Sequence, residues 1–166
     1  MGHKFTWFAT KDLAIDELCV RLDLLPIRDE ASIPNTHTIA QDVYGPTAYV
    51  LENGCSIVLM EYVQEVETPE RTSLLPTLSQ GITLLAYEQL DSLNVSATSE
   101  WHHGEEVWAV VRNPDMPEED QFMTRGSLPI WYQELRDAVY ANEDDYDTLG
   151  DLTRFCLLYT SPSPRD

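Results

Sequence analysis

At 166 residues and 43% hydrophobic content, the chain is long enough for one domain with its own core, since folding at this size buries roughly 68–70% of the unfolded surface. Its 29 acidic and 10 basic residues give a formal net charge of −19. Such a surface repels phosphate backbones and anionic headgroups, so nucleic acid and membrane are disfavoured as partners.

That charge suits a basic protein partner or cations. It equally suits a saline cytoplasm, where acidic, lysine-poor chains are general, and Lys4 and Lys11 are the only lysines here. No run of about 18 apolar residues would span a bilayer, and Met1–Phe5 opens no signal-type apolar stretch. A cytoplasmic location is expected. Cys19 and Cys55 lack a C-x-x-C spacing, so buried free thiols are the expectation.

In chain order, residues 5–9 read as a strand. Thr10 is placed to cap a helix over residues 11–25, where Ile15, Leu18, Leu22 and Leu25 recur at helical spacing. Glu17 and Arg21 stand as an i,i+4 pair, and Pro26 ends the element. Residues 28–35 read as loop and 36–43 as a weak edge strand. Residues 48–52 and 55–61 flank Asn53-Gly54, the strongest short-range signal for a hairpin with a type I′ turn. The second arm is apolar on both faces, as an interior strand would be. Residues 64–73 read as a polar loop.

Residues 74–80 predict a helical turn before Gly81, and 82–90 a strand, although their Leu, Ala, Glu and Gln also tolerate helix. Residues 94–101 and 106–112 form a second hairpin across His102-His103-Gly104. Residues 121–124 read as a last strand. A final helix follows with Pro129 in its first turn and Trp131, Leu135, Ala138 and Val139 as its buried stripe. The expected fold class is α+β: a mostly antiparallel sheet with two main helices packed on one face. Residues 1–155 form one such domain with no visible boundary. Acidity rises towards its end, with eleven acids and two arginines between Pro114 and Asp151.

Residues 156–166, Cys-Leu-Leu-Tyr-Thr-Ser-Pro-Ser-Pro-Arg-Asp, resemble translated read-through of a sequencing-library adapter along their whole length. The resemblance implies a non-native tail and a natural C-terminus cut off after Phe155. The Ser-Pro-Ser-Pro run neither continues a helix nor fills a central strand.

The pattern Trp101-x-x-Gly104-x-x-x-Trp108-x-Val110 resembles an uncharacterised bacterial family of small cytosolic proteins. Trp7-Phe8-Ala9, Gly54, Leu78-Ser79, Ser96-Ala97 and Gly126-x-x-Pro129 echo it in the same order. Arg112 and Asn113 stand where that family has histidine and aspartate, and Cys55 where it has an aromatic. The resemblance implies no established activity.

His102-His103-Gly104-Glu105-Glu106 is the densest set of ligand types. Zinc needs three or four converging donors, while adjacent histidines on an extended chain point to opposite faces. The motif then offers about two donors, to be completed by His37 or a carboxylate, and a polar hairpin tip is the favoured reading. No metal or cofactor is expected. Trp101 and Trp108 bracket the tip, either pairing across it or forming an aromatic platform. Ser79, Ser96, Cys19 and Cys55 lack the surroundings of a nucleophile, and no Gly-rich phosphate loop appears. The acidic segment 118–151, with Tyr132, Tyr140 and Tyr146, offers a surface for a basic protein.

The binding candidates are therefore Trp101, Trp108, His102, His103, Glu106, Tyr132 and Tyr140. The leading expectation is a non-catalytic protein-binding domain of accessory or immunity type. The alternative is a small enzyme or ligand-binding domain with its site near the Trp101–Trp108 hairpin. The sequence sets no oligomeric state.

Overall fold

The computed structural model describes residues 4–24, 46–61, 74–90, 95–113, 115–117, 120–134 and 137. The expected strand at 36–43, the loop at 64–73, His37, Tyr140, Tyr146, the acids at 143–151 and the 156–166 tail lie outside them. The chain divides into two compact units, Met1–Ser127 and Leu128–Asp166.

In the first unit the described residues build a seven-stranded antiparallel sheet. Its strands are β1 (Lys4–Thr10), β2 (Thr47–Val50), β3 (Ser56–Glu61), β4 (Thr83–Leu90), β5 (Val95–His102), β6 (Glu105–Arg112) and β7 (Phe122–Gly126). The spatial order is β2-β3-β1-β4-β5-β6-β7. Two short helices accompany it, α1 (Ile15–Arg21) and α2 (Leu74–Leu78).

β1 lies between β3 and β4, and every residue from Thr6 to Thr10 is buried. This is why its sequence shows no polar alternation: both faces of the strand are covered. Register then sorts the side chains. On one face Phe8 stands opposite Val58 and Ala86. There Leu18 and Cys19 of α1 and Leu75 and Leu78 of α2 join one core with Phe8, Val58, Leu84 and Ala86. On the other face Leu59, Trp7, Tyr87, Thr98 and Val110 form one row across five strands. Trp7 stacks on Tyr87 with ring centroids 5.5 Å apart.

The first helix is shorter than its periodicity predicts. Thr10 is the last residue of β1 and not a helix cap. Its Oγ1 donates to the Thr83 carbonyl at 2.7 Å and accepts from Asp12 N at 3.1 Å. The hydroxyl is thus committed to the sheet, and Ala14, extended at ψ 152°, precedes the helix without a side-chain cap. At the other end Asp23 takes a left-handed φ of 57°. Leu24 N then donates to Cys19 O and Asp23 N to Val20 O, the Schellman pattern that satisfies the last carbonyls. The helix stops there, before Pro26. Arg21 Nη1 donates to the carbonyls of Leu78 (2.9 Å) and Gln80 (2.8 Å) at the end of α2, so this guanidinium bridges the two helices where an i,i+4 pair with Glu17 was expected.

The first hairpin does not take the type I′ turn expected of it. At Asn53-Gly54 only the glycine has a positive φ, 80°. Gly54 N donates to Leu51 O and Leu51 N to Cys55 O, giving a three-residue loop whose last residue is left-handed, the G1-bulge form. Asn53 instead accepts Cys55 N on its Oδ1 at 3.0 Å.

In the second unit residues 132–134 and 137 are helical, and Tyr132 N donates to Pro129 O at 3.0 Å. Trp131, expected in the buried stripe, is only half-buried, whereas Tyr132 is buried. Leu135, Ala138 and Val139 lie outside the described residues. Among the described residues no helix is long and apolar enough to cross a membrane.

Candidate functional site

The type I′ turn sits at the second hairpin. His103 and Gly104 have φ of 52° and 91°, and two consecutive left-handed residues are what a two-residue hairpin loop requires. Helix α2 holds this turn in place. The fully buried Ser79 Oγ donates to Leu75 O at 2.7 Å and accepts Gly104 N at 3.2 Å. His103 N donates to Ile82 O at 3.3 Å. A Cβ on Gly104 would run into Gln80 Nε2 and lie 3.1 Å from Pro76 O.

His102 and His103 are both exposed, and their ring centroids are 4.0 Å apart with a 32° tilt. Opposed directions follow only if both residues are extended. The left-handed backbone at His103 breaks that condition and brings its imidazole against that of His102. The structure therefore joins two side chains that alternation would separate.

Trp101 and Trp108, by contrast, are kept apart. Near the turn His102 pairs with Glu105 and Trp101 with Glu106, but Glu100 pairs with Trp108, because a bulge intervenes. One extra residue reverses the side-chain sense of everything beyond it. Trp101 then packs against the core on the Phe8 face, with Nε1 donating to Ser99 Oγ at 3.0 Å. Trp108 is buried on the Trp7 face, with Nε1 donating to Glu100 Oε2 at 2.8 Å. Neither the cross-hairpin pair nor an exposed aromatic platform forms.

The same bulge aims Glu106 at β7. Arg125 donates from Nε to Glu106 Oε1 (2.9 Å) and from Nη2 to Oε2 (2.8 Å), a two-pronged carboxylate contact. That hydrogen bond leads the causes raising the Arg125 guanidinium above its ordinary value, against some opposing desolvation. Glu106 is thus a structural tie between β6 and β7.

Compared with protein families, curated proteins and solved structures, the chain matches none.

Tyr132 is buried and is no exposed anchor. Ser79, Ser96, Cys19 and Cys55 are all buried, and burial, with Asp16 nearby adding to it, pushes the Cys19 thiol up from its ordinary value. That favours the neutral, unreactive form. Among the described residues no three His, Cys, Asp or Glu side chains are grouped to hold a metal.

Three groups escaped the sequence reading. Glu88 is buried on the Phe8 face, between Thr6 and Ala97 in register; an acid inside the apolar run 82–90 was its only trace. Asp12 Oδ2 accepts Thr83 N at 2.7 Å, and Arg21 closes α2. Neither has a local signature, because the partners lie 57 or more residues away.

Proposed function

We propose that the chain is a non-catalytic, cytoplasmic protein that works by binding a basic protein partner, in the manner of an accessory or immunity protein. The observation that carries this reading is the formal net charge of −19, which steers association with a positive surface and discourages nucleic acid and anionic membranes. The outer side of α1 supports it. Asp16 and Glu17 on the helix and Asp23 just past it are exposed, and Val20, between them in sequence, is 68% exposed. An apolar centre within an acidic rim is the make-up of a protein-binding surface. Leu18 and Cys19 seat α1 in the core on the Phe8 face of the sheet, which sets that acidic side outward. Trp108 and Tyr132, being buried, are not contact residues in this reading.

The test is capture from native lysate on the immobilised full chain at low and high salt. A basic partner retained at low salt, released at high salt and lost with Val20→Arg is expected, because the centre of such an interface must desolvate. Finding no salt-sensitive partner would remove the proposal.

A second reading, a small-ligand site at the β5–β6 hairpin, is favoured by one observation, the exposed His102–His103 pair with its rings in contact.

A further inference from the structure

We propose that His102 and His103 form a two-imidazole site for a borderline divalent cation of the zinc, nickel and copper class, with water in the remaining coordination positions. This deepens the hairpin-ligand reading and is independent of partner binding, so either can fail alone.

Four observations converge. The ring centroids are 4.0 Å apart. Two nitrogens bound to one tetrahedral metal at 2.0–2.1 Å stand roughly 3.3 Å apart, so the two exposed rings are near enough to reach one ion once they turn to aim their in-plane lone pairs at it. Both rings are exposed, so neither nitrogen must leave a core to reach a metal. The backbone beneath them is held: Ser79 Oγ accepts Gly104 N, and His103 N donates to Ile82 O. A fixed turn lowers the ordering cost of binding. Finally, the charge of −19 enriches cations around the whole molecule.

The described residues place no third His, Cys, Asp or Glu in the group. This makes it an open site that exchanges its metal, unlike the closed sites of structural zinc. Imidazole selects the metal class: it suits zinc, copper and nickel and leaves magnesium and calcium to oxygen ligands. That preference separates the histidine pair from general attraction to carboxylates.

The experiment is calorimetric titration of Ni²⁺, Zn²⁺ and Mg²⁺ into the chelator-treated full chain at about 0.5 M NaCl, where diffuse attraction is screened. Saturable binding of Ni²⁺ and Zn²⁺ near one per chain is expected, with none for Mg²⁺. The double variant His102→Gln/His103→Asn should bind Ni²⁺ at least about tenfold more weakly. Asparagine tolerates the left-handed backbone at 103, so the turn survives the change. On the unaltered chain, a small dose of paramagnetic Ni²⁺ should broaden the ring proton signals of two of the four histidines. Equal Ni²⁺ affinity in the double variant overturns the proposal. So does Mg²⁺ binding as strong as Ni²⁺, or a loss that follows His3→Ala or His37→Ala instead.

Discussion

Two glycines with positive φ behave differently because of what their absent side chains would meet. At Gly126 (φ 72°) a Cβ would run into the Val107 carbonyl oxygen and lie 3.0 Å from Trp108 Cα. These are backbone atoms of β6, and Ser127 N donates to the same Val107 oxygen at 2.9 Å, so relief means parting β6 from β7. At Gly104 (φ 91°) the severe obstacle is the Gln80 amide, the far end of a side chain that can swing away, and the Pro76 carbonyl oxygen at 3.1 Å needs to give by only a few tenths of an ångström. Each substitution carries the left-handed penalty, about 1–2 kcal/mol; overpacking adds a further 1–3 kcal/mol or so only where the neighbour cannot yield. Urea unfolding is therefore expected to rank Gly126→Ala well below Gly104→Ala in stability. The opposite order would mean that β7 is not held in this register.

At the scale of elements, the two helices are too short to stand by themselves, since isolated helices under about 12 residues are marginal in water. They persist because Leu18, Cys19, Leu75 and Leu78 share one core with the sheet, and because Arg21 closes the carbonyls that α2 leaves open at its end. A bond from a charged donor to such a carbonyl contributes about 1.5–3 kcal/mol. Arg21→Met is accordingly expected to destabilise by that order, while Glu17→Gln, on an exposed side chain, changes stability by under about 0.5 kcal/mol. Equal costs for the two would restore the Glu17–Arg21 pair as the significant contact. The β5–β6 bulge is the other decisive element, because it alone puts Trp108 and Glu106 on opposite faces.

For the molecule as a whole, 29 acids against 10 bases repel one another more in the compact state than in the unfolded chain. Salt screens that repulsion, the Debye length falling from about 10 Å at 0.1 M to about 3 Å at 1 M. The melting temperature is expected to rise between those two NaCl concentrations, and to rise with KCl as well. A melting point that stays level or falls would show that local pairs such as Arg125–Glu106 outweigh the net charge.

What the sequence determined by itself is local. Strand positions at 5–9, 55–61, 82–90, 94–101, 106–112 and 121–124 follow from β-rich runs bounded by turn residues, and each corresponds to a strand within a residue or two. The helical turn at 74–80 and an antiparallel sheet follow in the same way. Only the tertiary structure decided where those strands lie and which way their side chains face. It placed β1 between β3 and β4, gave Thr10 to Thr83 rather than to a helix, ended α1 at Asp23, and separated Trp101 from Trp108 while joining His102 to His103. The physical reason is shared. Alternation along a strand is legible only while the backbone stays regular, and one bulge or one left-handed residue reverses it. Whether either forms depends on partners distant in the chain, Val107 against Gly126 and Ser79 against Gly104, which no local window contains.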